Sequence, residues 1–135
     1  MIRALDTNIV VFALRRLVSR NLVERFRQSD PGELVVPEVV RAELLHGCLK
    51  SDRQQENLTA VTRFLAPYRH LEFGAEAAEH YAEIRAALEK CGGMIGPNDL
   101  FIAATVRAAG AILITNNLRE FGRVPGLECE DWTAE

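Results

Sequence analysis

Three acids in this chain occupy positions where the surrounding pattern is apolar. Asp6 directly follows the strand-like segment Ile2-Arg3-Ala4-Leu5. Glu43 falls in the middle of the arc that a 3.6-residue period draws through Val36, Val39, Val40, Leu44 and Gly47. Asp99 has Ile102, Ala103 and Val106 as its i+3, i+4 and i+7 neighbours, which puts it at the head of an apolar stripe. An unpaired carboxylate is costly to bury, so each of these groups needs a cation, a proton or several hydrogen-bond donors. Acids converging on one edge can share a divalent cation, and hard carboxylate oxygens suit Mg2+ or Mn2+. Such ions keep positions open for water and phosphate oxygens, so the chemistry implied is metal-assisted hydrolysis of a phosphate monoester or diester.

Taken singly, two of the acids have simpler explanations. Asp6 can cap the helix that follows it, and Asp99 can be a first-turn acid favoured by the helix dipole. Glu43 sits in mid-helix, where neither effect helps, and its simplest alternative is a buried ion pair with Arg3 or Arg107. Other acid-based chemistries fit less well. A haloacid-dehalogenase-type phosphatase needs a second Asp where Asn8 stands, and a receiver domain needs a lysine near the last strand, whereas Lys50 and Lys90 lie elsewhere. His46, three residues after Glu43, has the spacing of a di-iron carboxylate bundle, but it occurs once and strands contradict a bundle. His70 and His80 have no ligand-spaced partners, no Ser or Cys lies in a nucleophile elbow, and no phosphate-binding glycine motif follows a strand.

The elements that must position these acids alternate between short apolar runs and helical stretches. Strands are predicted over 2–5, 34–36 and 111–115, with weaker ones over 70–73 and 127–130. Helices are predicted from residue 9, over 17–28, 38–50, 53–66 and 75–91, and from 97 to 110, with Gly92-Gly93 stopping the fifth. Apolar runs without in/out alternation indicate a parallel sheet covered on both faces, a three-layer α/β/α fold. In such sheets ligands bind beyond the carboxyl ends of the strands, which is where Asp6 and Thr115-Asn116-Asn117 fall.

The 135 residues suggest one domain over 1–135. The longest apolar run, 9–14, is far too short for a membrane span, and Arg3 and Asp6 interrupt any signal-peptide core, so a cytoplasmic protein is expected. Cys48, Cys91 and Cys129 suggest neither a disulfide framework nor a zinc site. The net charge of −3 argues against bulk electrostatic binding of nucleic acid, which leaves metal and local arginines to hold a phosphate backbone. Arg15, Arg16 and Arg20 are the candidates for that contact, set against a solvated helix face.

Leu5-Asp6-Thr7-Asn8, Ala42-Glu43-Leu44, Gly96-Pro97-Asn98-Asp99, Thr115-Asn116-Asn117 with Glu120-Phe121, and Glu130-Asp131-Trp132 together resemble the VapC toxins of the PIN-domain family. The likeness keeps the family's order and spacing over nearly the whole chain. It implies a five-stranded parallel sheet, a homodimer, and a Mg2+- or Mn2+-dependent endoribonuclease that acts as the toxin of a type II toxin–antitoxin pair. It implies Asp6 and Asp99 as metal ligands, Glu43 as a third catalytic acid, and Thr115 as the hydroxyl supporting the first aspartate, with Thr7 and Asn8 as supporting residues. The family often has a fourth acid where this chain has Asn117, and Glu120, one helical turn on, is the candidate to replace it. Members with this Thr-Asn-Asn and Glu-Asp-Trp pattern look like those that cut the anticodon loop of initiator tRNA. The implied partner is a VapB-type antitoxin whose tail crosses the acids with an arginine, forming a higher hetero-oligomer. The competing possibility is a catalytically weak subunit on the same fold that binds nucleic acid or antitoxin.

Overall fold

Five parallel strands, β1 (Arg3–Leu5), β2 (Leu34–Pro37), β3 (Arg69–Leu71), β4 (Ile112–Ile114) and β5 (Cys129–Glu130), pair in the order β3-β2-β1-β4-β5 in a computed structural model that describes residues 1–15 and 19–134. Among the described residues seven α-helices flank the sheet: α1 (Thr7–Arg15), α2 (Arg20–Gln28), α3 (Glu38–Lys50), α4 (Gln54–Leu65), α5 (Ala75–Cys91), α6 (Pro97–Ala108) and α7 (Leu118–Phe121). The result is the three-layer α/β/α arrangement that the alternating pattern predicts. Its central strands are buried throughout β2 and β4 and at Ala4 and Leu5 of β1, because helices cover both faces. The edge strands β3 and β5 are exposed to half-buried.

The chain leaves β1 toward β2 on one side and later returns to β4 on the other, so the strand order reverses between β1 and β4. A crevice opens at such a reversal, beyond the carboxyl ends of the strands. Asp6 and Thr115 are the residues that follow β1 and β4, and the Asp6 amide donates to Ile114 O at 2.9 Å across the gap.

Several boundaries differ from the sequence pattern for local reasons. The second helix starts at Arg20, because the Ser19 hydroxyl accepts from the Leu22 amide at 3.2 Å and caps it. The edge strand falls at Arg69–Leu71, where it pairs with β2 in the register Val36 to His70. α7 is too short to show a helical period and was not expected. α5 ends as expected at Gly92, whose φ of 68° is the left-handed cap that glycine adopts without strain.

The stripe on α3 is also rotated from its expected position. Val40, Leu44 and Cys48 face the core, whereas Val39 is half-buried and Gly47 exposed. Glu43 therefore lies half-buried at the edge of the stripe, not in its middle, which keeps its carboxylate within reach of water and donors. Asp99 is likewise half-buried above the fully buried Ile102, Ala103 and Val106. The cysteines are all free, and no described helix is long and apolar enough to cross a membrane.

Candidate active site

The crevice between β1 and β4 collects four carboxylates from four different elements. Asp6 comes from the end of β1, Glu43 from mid α3, Asp99 from the first turn of α6, and Glu120 from α7. Three of them, Asp6, Glu43 and Glu120, are held by neutral donors. Asp6 is 6% exposed, and its Oδ2 accepts from the hydroxyl of the fully buried Thr115 at 2.7 Å while Oδ1 accepts from the Thr7 amide at 2.8 Å. Glu43 Oε1 accepts from the Thr7 hydroxyl at 2.8 Å, and Oε2 accepts from Asn98 Nδ2 at 3.4 Å. Glu120 Oε2 accepts from Asn117 Nδ2 at 3.0 Å, while the Asn117 amide donates to Thr115 Oγ1 at 3.0 Å. Glu120 and Asp99 share a hydrogen bond, so a continuous network runs from Asp6 through Thr115, Asn117 and Glu120 to Asp99.

The ionisation of the acids registers this crowding. Burial raises the Asp6 carboxyl above its ordinary value, its bonds to Thr115 and the Thr7 amide oppose that, and the negative charge of Glu43 adds to it. Asp99 is pushed up to about 7, first by burial, then by its hydrogen bond to Glu120 and by repulsion from Asp6, Glu120 and Glu43. Even the Cys129 thiol, on the neighbouring edge strand, rises to about 11 through burial and the charge on Asp6.

The arginines proposed as simple partners of Glu43 are engaged elsewhere. Arg3 Nε lies 3.2 Å from Glu130 Oε1, and Arg107 donates to His80 Nδ1, Pro125 O and Glu83 at 2.8, 2.9 and 2.6 Å. The ion-pair explanation of Glu43 therefore falls. An all-oxygen donor set with clustered negative charge fits a hard divalent cation. Among the described residues no three acids, histidines or cysteines close on one point as a ready-made cage.

Of the residues anticipated from sequence, Asp6, Thr7, Glu43, Asp99, Thr115, Asn117 and Glu120 meet in this crevice. Asn8 does not: it is exposed on the first turn of α1, and among the described residues no hydrogen bond ties it to the acids. Arg15 is exposed at the end of α1 and borders a groove that begins at Thr7 and Glu43. Arg20 is exposed at the start of α2, and Arg16 lies outside the described residues. Two neighbours of Asp99 were passed over. Asn98 supports Glu43, and a Cβ on Gly96 would stand 3.3 Å from Asp99 Oδ2, so glycine leaves the carboxylate room. Both stand in the Gly96-Pro97-Asn98-Asp99 motif, which was the available signal. The closing Glu130-Asp131-Trp132 motif is architectural: Trp132 is 1% exposed and meets Phe26 edge-on with centroids 5.6 Å apart.

The PIN-domain family model matches residues 3–127. This chain belongs to the VapC family of PIN-domain proteins. It is 40% identical to a ribonuclease VapC2 of Haemophilus influenzae over 95% of this chain and 96% of that protein. It is 39% identical to a tRNA(fMet)-specific endonuclease VapC of Shigella flexneri, over 96% of each. The fold superposes on the DNA-bound VapBC structure from Salmonella typhimurium with a TM-score of 0.91 at 34% identity, covering 98% of both chains. The family member described here thus spans nearly the full length of these relatives.

Proposed function

We propose that this chain is a divalent-metal-dependent endoribonuclease, one PIN domain over 1–135, and the toxin of a cytoplasmic type II toxin–antitoxin pair. The observation that carries the reading is the convergence of Asp6, Glu43, Asp99 and Glu120 on one crevice, with neutral donors supporting all but Asp99. Four carboxylates repel a phosphodiester, so they can act on one only with a cation between them. Asp6 and Asp99 would hold Mg2+ or Mn2+, with Glu120 taking the place of the family's fourth acid. When bound, the cation supplies Lewis acidity toward the phosphoryl oxygens and offsets the charge of the acids.

The remaining work belongs to the chain's own groups. Thr115 and the Thr7 amide favour the ionised form of Asp6 and fix both its oxygens. Asn117 aims Glu120 at Asp99 and thereby sets the far wall of the site. Thr7 and Asn98 hold the two Glu43 oxygens, leaving that half-buried acid positioned to take a proton from water during hydrolysis. Arg15 borders the groove that begins at Thr7 and Glu43, and with the exposed Arg20 it is assigned to contact with phosphates.

Relatives named as tRNA(fMet)-specific endonucleases support initiator tRNA as the substrate, and the anticodon loop is the cleavage site that the motif resemblance implies. The VapBC structures among its neighbours support a VapB-type antitoxin as partner; the homodimer and larger hetero-oligomer rest on the family resemblance of its motifs. The test is incubation of the antitoxin-free protein with total tRNA, in Mg2+ or EDTA, beside Asp99→Asn, with the cut ends mapped. A discrete cut in initiator tRNA that needs metal and disappears in the variant is expected. Absence of any cut in RNA, with Mn2+ binding intact, would overturn the nuclease assignment in favour of a binding subunit.

A further inference from the structure

A cavity of about 270 Å3 opens between α1, α3 and α4, and its inner end is formed by Thr7 and Glu43 of the acid site. Its floor is apolar, built from Leu44, Cys48 and Val61, which are 5%, 4% and 5% exposed. Its rim is polar: Arg15 stands on one side, and on the other Asn57 is fixed by donating from Nδ2 to Ser51 Oγ at 2.9 Å. Gly47 borders the same space, one turn beyond Glu43 on α3.

That glycine has no backbone reason to be there. It lies inside a thirteen-residue helix without a positive φ, where glycine weakens a helix relative to alanine. A Cβ at Gly47 would meet nothing within 4 Å, so no close packing demands its absence either. What a side chain at this position would do is project into the space beside the cavity.

We propose that this cavity receives a nucleobase of the RNA strand, next to the phosphate held at the acids, and that Gly47 keeps it open. The inference rests on the nuclease reading above. The cavity is continuous with the acid site through Thr7 and Glu43, so a strand whose phosphate sits at the acids has a neighbouring nucleotide within reach of it. The chemistry suits a flat heterocycle better than a wholly apolar group: the floor covers the ring face, Asn57 can bond its edge, and the Arg15 guanidinium can lie on its plane. Specific recognition of RNA depends on unstacked bases presented in this way. The pocket would therefore select the nucleotide beside the cleaved bond.

The test uses backbone-amide NMR of the full chain in Mg2+, titrated with AMP, GMP, CMP and UMP, and with ribose 5-phosphate as the probe lacking a base. At least one nucleotide is expected to shift the amides of Leu44, Gly47, Cys48 and Val61 saturably, while ribose 5-phosphate leaves them unmoved. Gly47→Leu should abolish those shifts and weaken the nucleotide at least about tenfold, with Gly47→Ala intermediate. Gly47→Ala should also melt about 3–5 °C higher than the unchanged chain, which separates lost binding from lost folding. Equal shifts with ribose 5-phosphate, or equal nucleotide binding by Gly47→Leu, would overturn the proposal. So would cavity amides that ignore all four nucleotides and move only when the antitoxin is added. Cleavage of total tRNA, measured in parallel, keeps the two readings apart. A chain that cuts RNA while its cavity ignores nucleotides loses the pocket alone. A chain that cuts no RNA yet shows base-dependent shifts loses the nuclease reading alone.

Discussion

Carboxylates meet opposite fates in two regions of this molecule. At the carboxyl ends of β1 and β4, Asp6, Glu43, Asp99 and Glu120 face one another; threonines, asparagines and an amide hold the first two and the last, and Asp99 bonds to Glu120. Elsewhere carboxylates are matched to arginines: Glu130 to Arg3, Glu83 to Arg107, and Glu38 to Arg41, with His70 Nδ1 2.9 Å from Glu38 Oε1. The ionisation follows the same division. Arg41 holds Glu38 below the usual carboxylate range, whereas Asp6 and Asp99 are raised. Neutral donors orient an acid without cancelling its charge, so the crevice retains the negative field that a divalent cation needs. An arginine in the same place would give a more comfortable fold with no room for the metal.

Exchanging charge for neutrality on each side tests that contrast. The largest effect is expected for Asp99→Asn, which should lower kcat/KM on RNA at least about 100-fold by removing a metal-facing acid. Steady-state cleavage of a mapped RNA substrate measures it, and retention of activity would place the chemistry elsewhere. Arg107→Ala should do the reverse. It removes donors to His80, Glu83 and Pro125 O, so urea denaturation should show a loss of about 1–3 kcal/mol with RNA cleavage unchanged.

Smaller effects should come from the groups that orient the acids. Asn117→Ala frees Glu120 and Thr115→Val removes the buried donor of Asp6, and each should cost about 10- to 100-fold in metal affinity or activity. Mn2+ titration read by calorimetry separates the two losses. The smallest effect concerns pH in the metal-free chain. Unfolded, Asp99 titrates near its ordinary value of 3.8; folded, it keeps its proton to about 7. Between those values the folded state binds more protons, so this group's contribution to stability is lost as pH rises through 7. Its half-exposed position weakens the effect through solvent screening. Asp99→Asn should therefore raise Tm by about 3 °C at pH 8, by roughly a third of that at pH 5 and hardly at all below pH 3.8, as thermal melts in EDTA would show.

Much of the site was open to a reader of the chain because its signals are local. Asp6 and Thr115 end apolar runs, and Asp99 opens a helix behind Pro97, so each declares both its type and its place along the strand ends. Glu43 stood out because nothing along its own helix explains it. Asn8 is the expected site residue that the fold turns away from the acids. It lies beside Asp6 in sequence, yet successive helical residues diverge by about 100°, and the turn that brings Thr7 to Glu43 sends Asn8 to solvent.

Residue types and periodicity alone determined the α/β class, the parallel sheet, and an acid set fit for a hard cation, since each follows from side-chain chemistry and spacing within one element. Tertiary structure decided what depends on distance across elements. It turned Glu120 toward Asp99 through a four-residue helix with no period to read. It gave Asn117 and Asn98 their carboxylate partners, 3 and 55 residues away in the chain, and drew Arg3 and Arg107 to other acids. It also placed Gly47 over open space beside Glu43, because the gap between α1, α3 and α4 exists only once those helices have packed.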